Sequence, residues 1–335
     1  MMQLIKPKGI KPMAIKVRDY EVRLTRTAAE KHMVFKLRYD VFVKEEGAGA
    51  TPEQHAIGEE YDDFDKYADY LAVFHNGKIV GTYRIINRTA AEKMGSFYTE
   101  SEFNISKIKK APVNIAEMSR ACVAPEYREN ALVMRMLWAG LGEYIVRRKI
   151  AILFGVASWV GNKPADSAQA ISYLYYNHLS PNNLRATVIP EKFADGVNQK
   201  LARMNILPAA FVDADDARKQ MTPLIKGYLR LGATFGKGVF VDKPFNSYDV
   251  FVMLQVKNID AAYRKHFLGS DKVLDADEFD ANRDGVIKKV GKIILSPVTG
   301  PLKVMGAILQ FLLREDAVDA EYIEDAANTD GDMEK

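Results

Sequence analysis

The strongest constraint on the fold is a tight turn between two apolar segments. Tyr70–Phe74 and Ile79–Ile86 are joined by only four residues, His75-Asn76-Gly77-Lys78. Asn-Gly suits a type I′ turn, because that turn requires positive φ at both central positions. The sequence therefore predicts an antiparallel β-hairpin, and the other elements must extend this sheet or pack against it.

Segments around this hairpin alternate between helix and strand patterns. Apolar residues at helical spacing predict helices over Ala28–Phe42, Leu132–Arg148 and Ala165–His178. Further strands are predicted at Tyr20–Leu24, Val113–Val123, Ile150–Val156, Tyr228–Leu231 and Val250–Val256, with turns at Gly236–Gly238 and Asp242–Asn246. Mixed elements around one sheet indicate a single α/β (or α+β) domain over residues 15–265.

The composition excludes several classes of protein. The chain has 335 residues, 48% hydrophobic and 27% charged, which is typical of a globular protein. A formal charge of +3 does not predict a nucleic-acid partner. Cys122 is the only cysteine, so no internal disulfide can form, and we expect a buried core residue. The chain shows neither a secretory signal nor an apolar run of bilayer length, which favours the cytoplasm.

The end of the chain differs from the rest. Residues 266–314 are predicted to form an amphipathic extension, which either lies on an anionic membrane surface or docks onto the protein's own core. Residues 315–335 carry nine acidic residues and one basic residue, as in a disordered tail. Asp280–Gly285 resembles half of a calcium loop, but Gly291 stands where a bidentate glutamate is needed, so we predict no metal site.

Charged residues interrupt two of the apolar strands. Arg84 lies within Ile79–Ile86, and Glu117 and Arg120 lie on Val113–Val123. Residues three apart on a strand face opposite sides unless a bulge intervenes. An unpaired buried charge is costly, so these side chains should recruit partners. They form either a structural ion-pair network or a polar cleft that holds an ammonium and a carboxylate.

Six segments resemble a known family. They are RYDVFVKEE (38–46), EYDDFDKYADYLAV (60–73), GTYRI (81–85), EMSRACVAPEY (117–127), YLYYNHLSP (173–181) and PLIKGYLRLGATFGKGVFVDKPFNSYDVFVML (223–254). The chain is similar in these segments to the ornithine N-acyltransferases, which make lyso-ornithine lipid. That family is a branch of the Gcn5-related N-acetyltransferase (GNAT) superfamily, to which acyl-homoserine-lactone synthases are related. The resemblance implies a mixed, largely antiparallel sheet flanked by helices.

The resemblance also implies a reaction. A (3-hydroxy)acyl group would pass from the phosphopantetheine thioester of acyl-carrier protein to the α-amine of L-ornithine, with no bound cofactor. Tyr127–Leu132 lacks the glycines with which coenzyme A users cradle a pyrophosphate, which favours the carrier protein as donor. The basic residues Arg128, Arg135, Arg147, Arg148 and Lys149 could dock that carrier or form a solvated face. One alternative is the same reaction with glutamine, glycine, lysine or tyrosine as the acceptor. The other is a non-catalytic, membrane-associated binding protein.

Residue roles follow from the same resemblance. Glu117 would help to deprotonate the α-ammonium, and a backbone N–H of its strand would stabilise the oxyanion where neighbouring strands splay. Arg84 or Arg120 would pair with the substrate carboxylate, while Asp62 and Asp65 could hold its side-chain ammonium. The other substrate-binding candidates are Arg38, Phe42, Phe97, His178, Lys226, Arg230 and Asp249. Each of the last four has an alternative role. His178 could instead end a helix, Lys226 and Arg230 could lie on a solvated face, and Asp249 could cap a turn.

Overall fold

A ten-stranded sheet organises the part of the chain that the computed structural model describes, residues 13–129, 131–189 and 203–259. Its order is β1-β2-β3-β4-β6-β7-β10-β9-β8-β5. Neighbouring strands are antiparallel except in the pairs β6–β7 and β8–β9. The strands are β1 Ala14–Val17, β2 Tyr20–Leu24, β3 Asp69–His75, β4 Lys78–Asn87, β5 Phe103–Asn104, β6 Asn114–Val123, β7 Ile150–Val160, β8 Thr187–Val188, β9 Thr234–Asp242 and β10 Ser247–Gln255.

Helices cover the two faces of this sheet. They are α1 Ala28–Arg38, α2 Pro52–Ile57, α3 Arg88–Met94, α4 Ser106–Lys109, α5 Ala131–Arg148, α6 Ala168–Asn177, α7 Ala214–Gln220 and α8 Pro223–Arg230. Helix α5 buries Val133 and Leu137 in one core, and α1 buries Val34 and Leu37 in the other. Helix α5 lies close to the sheet because Gly81 faces Val133, where a Cβ would come within 2.7 Å of the valine side chain. Among the described residues no helix combines the length and apolar character that a bilayer crossing requires.

The β3–β4 hairpin confirms the prediction from its turn. Asn76 and Gly77 both have positive φ, 48° and 76°, as a type I′ turn requires. The first predicted helix is also confirmed and continues as a π-helical segment, Tyr39–Glu45. Cys122 is buried, and this burial raises the pKa of its thiol to about 12.

Two predictions near residue 230 are wrong. Tyr228–Leu231, predicted as a strand, lies at the end of helix α8 and just beyond it. These four residues were too few to separate a strand from a short helix by periodicity. Gly236–Gly238, predicted as a turn, lies inside β9, where Gly236 allows the close approach of Phe251. The turn at Asp242–Asn246 is confirmed between β9 and β10.

Several predictions concern residues that the structure does not describe. The amphipathic extension over 266–314, the acidic tail over 315–335 and the half calcium loop at 280–285 all lie outside the described residues.

Two irregularities in β6 position the site. Thr82 and Arg84 of β4 pair with Cys122 and Ser119 of β6, so two steps on β4 oppose three on β6. Arg120 lies in this bulge with φ of 51°. On the other edge, the parallel ladder between β6 and β7 ends at the pair Glu117–Phe154. Beyond this pair β6 has no further register with β7, whereas the other edge of β7 stays paired with β10 as far as Val160.

Candidate functional site

The predicted acidic loop and the buried arginines form one network on the α1 side of the sheet. Arg38 Nη1 donates to Asp65 at 3.0 Å, and Arg38 Nε donates to Glu60. Arg84 Nη1 donates to both carboxylate oxygens of Asp62 at 2.7 Å and to Asp65 at 3.0 Å. Arg38 and Arg84 are fully buried. Burial alone would raise the pKa of Asp65, but the two guanidinium groups hold it below its usual value.

Arg120 joins this network loosely. Its guanidinium donates to Glu60 at 3.4 Å and to Asp62 at 3.3 Å. The same group lies 4.6 Å from the ring centre of Tyr98 and 4.3 Å from that of Phe245. Cation–π contacts of this kind hold a guanidinium in place without neutralising it. We call the three arginines and three carboxylates together the arginine–carboxylate network: Arg38, Arg84, Arg120, Glu60, Asp62 and Asp65.

The bulge brings Glu117 and Arg120 to the same turn. Glu117 accepts hydrogen bonds from the backbone N–H groups of Tyr98 at 2.8 Å and Thr99 at 2.9 Å, and from the Thr99 hydroxyl at 2.7 Å. The Tyr98 ring in turn faces Arg120. Glu117 is fully buried, and this burial raises its pKa to about 7 in spite of these donors. A carboxyl with such a pKa can take up and release a proton near neutral pH.

An apolar cavity opens where β6 and β7 separate, and Met118, the residue after Glu117, lies in its wall. It contains about 440 Å³ of empty space, including its open mouth. Its walls come from the diverging strands, from α5 and α8, and from β4 and β10: Tyr83, Met118, Trp138, Leu141, Leu153, Phe154, Gly155, Val156, Tyr228, Val252 and Leu254. The site therefore combines a carboxyl of raised pKa with an apolar cavity at a break in the sheet.

Gly155 fixes how closely the two strands approach before they separate. A Cβ at this position would lie 2.3 Å from the backbone carbonyl oxygen of Met118. Gly155→Ala must therefore push β6 from β7, and we expect a loss of about 1–3 kcal/mol in the free energy of unfolding, measured by urea denaturation. Gly49→Ala is the matched control, since its Cβ would meet only Pro244 O at 3.4 Å. Equal stability of the two variants would contradict this account.

A second group of carboxylates lies beyond Arg120. One carboxylate oxygen each from Glu102, Asp242 and Asp249 lies within 4.8 Å of the other two, and all three side chains are buried. We call this group the acidic trio. Burial raises the pKa of all three, that of Asp249 to about 7, and the proximity of Asp249 raises that of Glu102 further.

The structure brings most of the predicted site residues together. The arginine–carboxylate network contains five of them, and Glu117 is linked to it through Tyr98. Phe97 precedes this turn and packs edge-to-face on Phe154, with ring centres 5.0 Å apart. Asp249 belongs to the acidic trio; the side chain that caps the β9–β10 turn is Asp242, which accepts from Phe245 N–H at 3.1 Å.

Four predicted residues lie elsewhere among the described residues. Phe42 packs half-buried against the α1 core. His178 ends α6 beside Tyr173, and burial lowers its pKa. Lys226 and Arg230 lie on α8, whose Tyr228 lines the apolar cavity on the opposite side of the sheet from the arginine–carboxylate network. The arginine–carboxylate network as described above does not include these four residues, so their roles stay predictions.

The residues that the sequence did not reveal are Glu102, Asp242, Tyr98 and Thr99. Glu102 and Thr99 follow no periodic pattern, and Asp242 fell in a predicted turn, where aspartate is common. The available signal was the position of Asp242, an acidic residue directly after the apolar residues Val239–Val241 of β9.

Comparison with known proteins identifies the family. Residues 37–139 match the acetyltransferase (GNAT) domain. The chain is 33% identical to an L-ornithine N(alpha)-acyltransferase of Rhodobacter capsulatus over 262 residues, which cover 76% of this chain and 97% of that protein. It is 34% identical to the L-ornithine N(alpha)-acyltransferase of Agrobacterium fabrum, covering 74% and 85% of the two chains.

A solved structure of a coenzyme A-dependent acyl-homoserine lactone synthase is also similar, with 14% identity, a TM-score of 0.43, and coverage of 78% of this chain and 92% of that one. The sheet order and the GNAT-domain match agree with the expected mixed, largely antiparallel fold. From the sequence matches over most of its length, the chain belongs to the L-ornithine N(alpha)-acyltransferase family and is an acyltransferase.

Proposed function

We propose that this enzyme transfers a 3-hydroxyacyl group from acyl-carrier protein to the α-amine of L-ornithine and so makes lyso-ornithine lipid at the inner face of the cytoplasmic membrane. The names of its relatives support ornithine as the acceptor. The observation that carries the proposal is Glu117, a buried carboxyl with a pKa of about 7 at the end of the β6–β7 ladder, where its neighbours Met118 and Phe154 line an apolar cavity.

Glu117 acts as the base in this proposal. A protonated amine has no lone pair, so Glu117, directly or through a water, removes one proton from the α-ammonium. The amine then adds to the thioester carbonyl with formation of the C–N bond, and the resulting tetrahedral oxyanion collapses to the amide as the C–S bond breaks. The second amine proton passes to the leaving thiolate, which departs as the phosphopantetheine thiol. Backbone N–H groups of β6 beyond Glu117 stabilise the oxyanion, because β7 no longer pairs with them.

The cavity suits the acyl tail of the donor. Trp138, Leu141 and Leu153 supply apolar walls, and its position between β6 and β7 would direct a thioester carbonyl toward Glu117. Burying a methylene group in such a cavity contributes about 0.8 kcal/mol, so the tail provides much of the donor's binding energy.

Arg120 is the better candidate for the substrate carboxylate. Arg84 is fully buried and holds Asp62 and Asp65 with short hydrogen bonds. Arg120 makes only the two long contacts to the network, at 3.4 and 3.3 Å, so its guanidinium has donor capacity for an incoming carboxylate.

An acyl-transfer assay of the purified full chain tests this proposal. Mass spectrometry would follow product formation from 3-hydroxyacyl-carrier protein or 3-hydroxyacyl-coenzyme A, each offered with ornithine, lysine, glutamine, glycine and tyrosine. We expect acyl-ornithine from the carrier-protein donor as the main product. Faster transfer from coenzyme A, or faster acylation of another amino acid, would overturn the donor or the acceptor assignment. Absence of transfer from either donor would favour the non-catalytic alternative.

A further inference from the structure

The buried charges near Glu117 do not balance. Within the arginine–carboxylate network, three guanidinium groups meet three carboxylates. The acidic trio adds three more buried carboxyl groups, and no lysine or arginine of the described ranges forms a salt bridge with any of them. Buried carboxylates in mutual contact need a cation or must hold protons. The acidic trio is therefore short of positive charge.

Two oxygens of the acidic trio also lack hydrogen-bond donors. Glu102 is 2% exposed and Asp249 is 3% exposed. Glu102 Oε2 and Asp249 Oδ1 have no hydrogen-bond partner among the residues that the structure describes. Ser158 and Ser247 donate to Asp249, and Phe245 N–H donates to Asp242, so these side chains are held in place by their surroundings. A buried acceptor without a donor is costly, which is a reason to look for the ligand that supplies one.

The surroundings favour a monovalent cation with N–H donors. The guanidinium of Arg120 is close enough to favour the charged forms of Glu102, Asp242 and Asp249. Such a positive neighbour opposes a divalent metal more strongly than an ammonium. Calcium takes six to eight oxygen ligands, whereas a primary ammonium has three N–H donors, which matches three carboxylates.

The position of the acidic trio relative to Glu117 identifies the molecule that brings this ammonium. Glu102 follows the turn whose Tyr98 and Thr99 amides hold Glu117, and the Glu117 charge contributes to the raised pKa of Glu102. The two carboxyl groups therefore lie close enough for their charges to interact. An amino acid whose α-amine lies at Glu117 would extend a flexible side chain toward the acidic trio.

We propose that the acidic trio binds the side-chain ammonium of a diamino-acid acceptor and selects it over uncharged amino acids. This inference rests on the proposed function, which places the α-amine at Glu117. It assigns to Glu102, Asp242 and Asp249 the role that the sequence suggested for Asp62 and Asp65, both of which are held by arginines.

The test compares ornithine with L-norvaline, which is ornithine without the terminal amine. In the wild-type enzyme we expect kcat/KM for ornithine to exceed that for norvaline by ~100-fold or more, because the acidic trio stays unpaired with norvaline. Asp249→Asn should lower this ratio by ~100-fold. Asp216→Asn is the matched control, since it removes an exposed carboxylate on α7 that pairs with Lys219. Isothermal titration of ornithine without donor gives an independent binding readout.

The outcomes separate this inference from the proposed function. If Asp249→Asn lowers both rates equally and leaves the ratio unchanged, the acidic trio has only a structural role. If a chelator abolishes the wild-type preference and a divalent metal restores it, the acidic trio is a metal site. If wild-type protein transfers no acyl group yet binds ornithine in a way that Asp249→Asn weakens, the proposed function fails and the ammonium pocket stands. If the wild-type protein does not bind ornithine, this inference fails.

Discussion

Replacing Glu117 with glutamine is expected to lower kcat for acyl transfer by ~10³-fold, within the range typical of a lost general base. Glutamine cannot accept a proton from the α-ammonium, and its amide would also set an N–H group against donors at Tyr98 or Thr99. Steady-state kinetics with saturating donor and ornithine measure the effect. Circular dichroism and thermal unfolding show whether the variant retains its fold.

The pH dependence of the wild-type enzyme checks the same role without a mutation. Burial raises the pKa of Glu117 to about 7, so the carboxyl is protonated and inactive as a base below that pH. We therefore expect kcat/KM to rise by up to tenfold per pH unit below about pH 7 and to level off above it. Ionisation of the substrate's α-amine adds a second change in kcat/KM at higher pH.

Two results would contradict the catalytic role of Glu117. One is an unchanged kcat in a folded Glu117→Gln enzyme. The other is a wild-type profile with no break within about one unit of pH 7. Thr99→Ala is a useful companion, because it removes one hydrogen bond to the carboxylate and should shift the break to higher pH while the base is retained.

The largest expected effect on stability comes from Arg84→Met. The change removes hydrogen bonds to Asp62 at 2.7 Å, to Asp65 at 3.0 Å and to Ser119 at 2.9 Å. Asp65 is buried and would keep its charge with less compensation. Breaking a buried ion pair from one side typically costs about 3–5 kcal/mol, which is a large share of the stability of a domain. Urea denaturation followed by circular dichroism measures the loss.

A matched control comes from an exposed ion pair in the same loop. Lys66 pairs with Asp63, and their side chains are 66% and 72% exposed, so Lys66→Met should change the free energy of unfolding by less than about 1 kcal/mol. If Arg84→Met does not fold, Arg84→Lys keeps the charge and should show an intermediate loss. Equal losses for the Arg84 and Lys66 variants would show that the network does not stabilise the fold.

Local signals in the sequence were enough for much of the fold. Asn76-Gly77 determined the β3–β4 hairpin, because few residues tolerate positive φ at both positions. The apolar run of β7 and the helical spacing of α5 were long enough to be read without ambiguity. Around Tyr228 the pattern was too short, and the segment proved to be helical.

The charged strand Glu117–Arg120 shows where such signals end. Its composition predicted that the two charges would need partners. The acidic loop supplies those of Arg120, and the turn at Tyr98 and Thr99 supplies those of Glu117. The bulge at Arg120 allows Glu117 and Arg120 to contact the same turn, and no residue type in the strand predicts that bulge.

The sequence by itself determined the hairpin, the main helices, the family and the presence of charged groups that could not be buried alone. Only the tertiary structure decided which carboxylates stay without a guanidinium partner. Asp62 and Asp65 are neutralised by arginines from α1 and β4, whereas Glu102, Asp242 and Asp249 meet because β9 and β10 pair beside the turn at Tyr98. Charge compensation depends on distances between residues remote in the chain, and these distances are set by strand order and register rather than by local sequence.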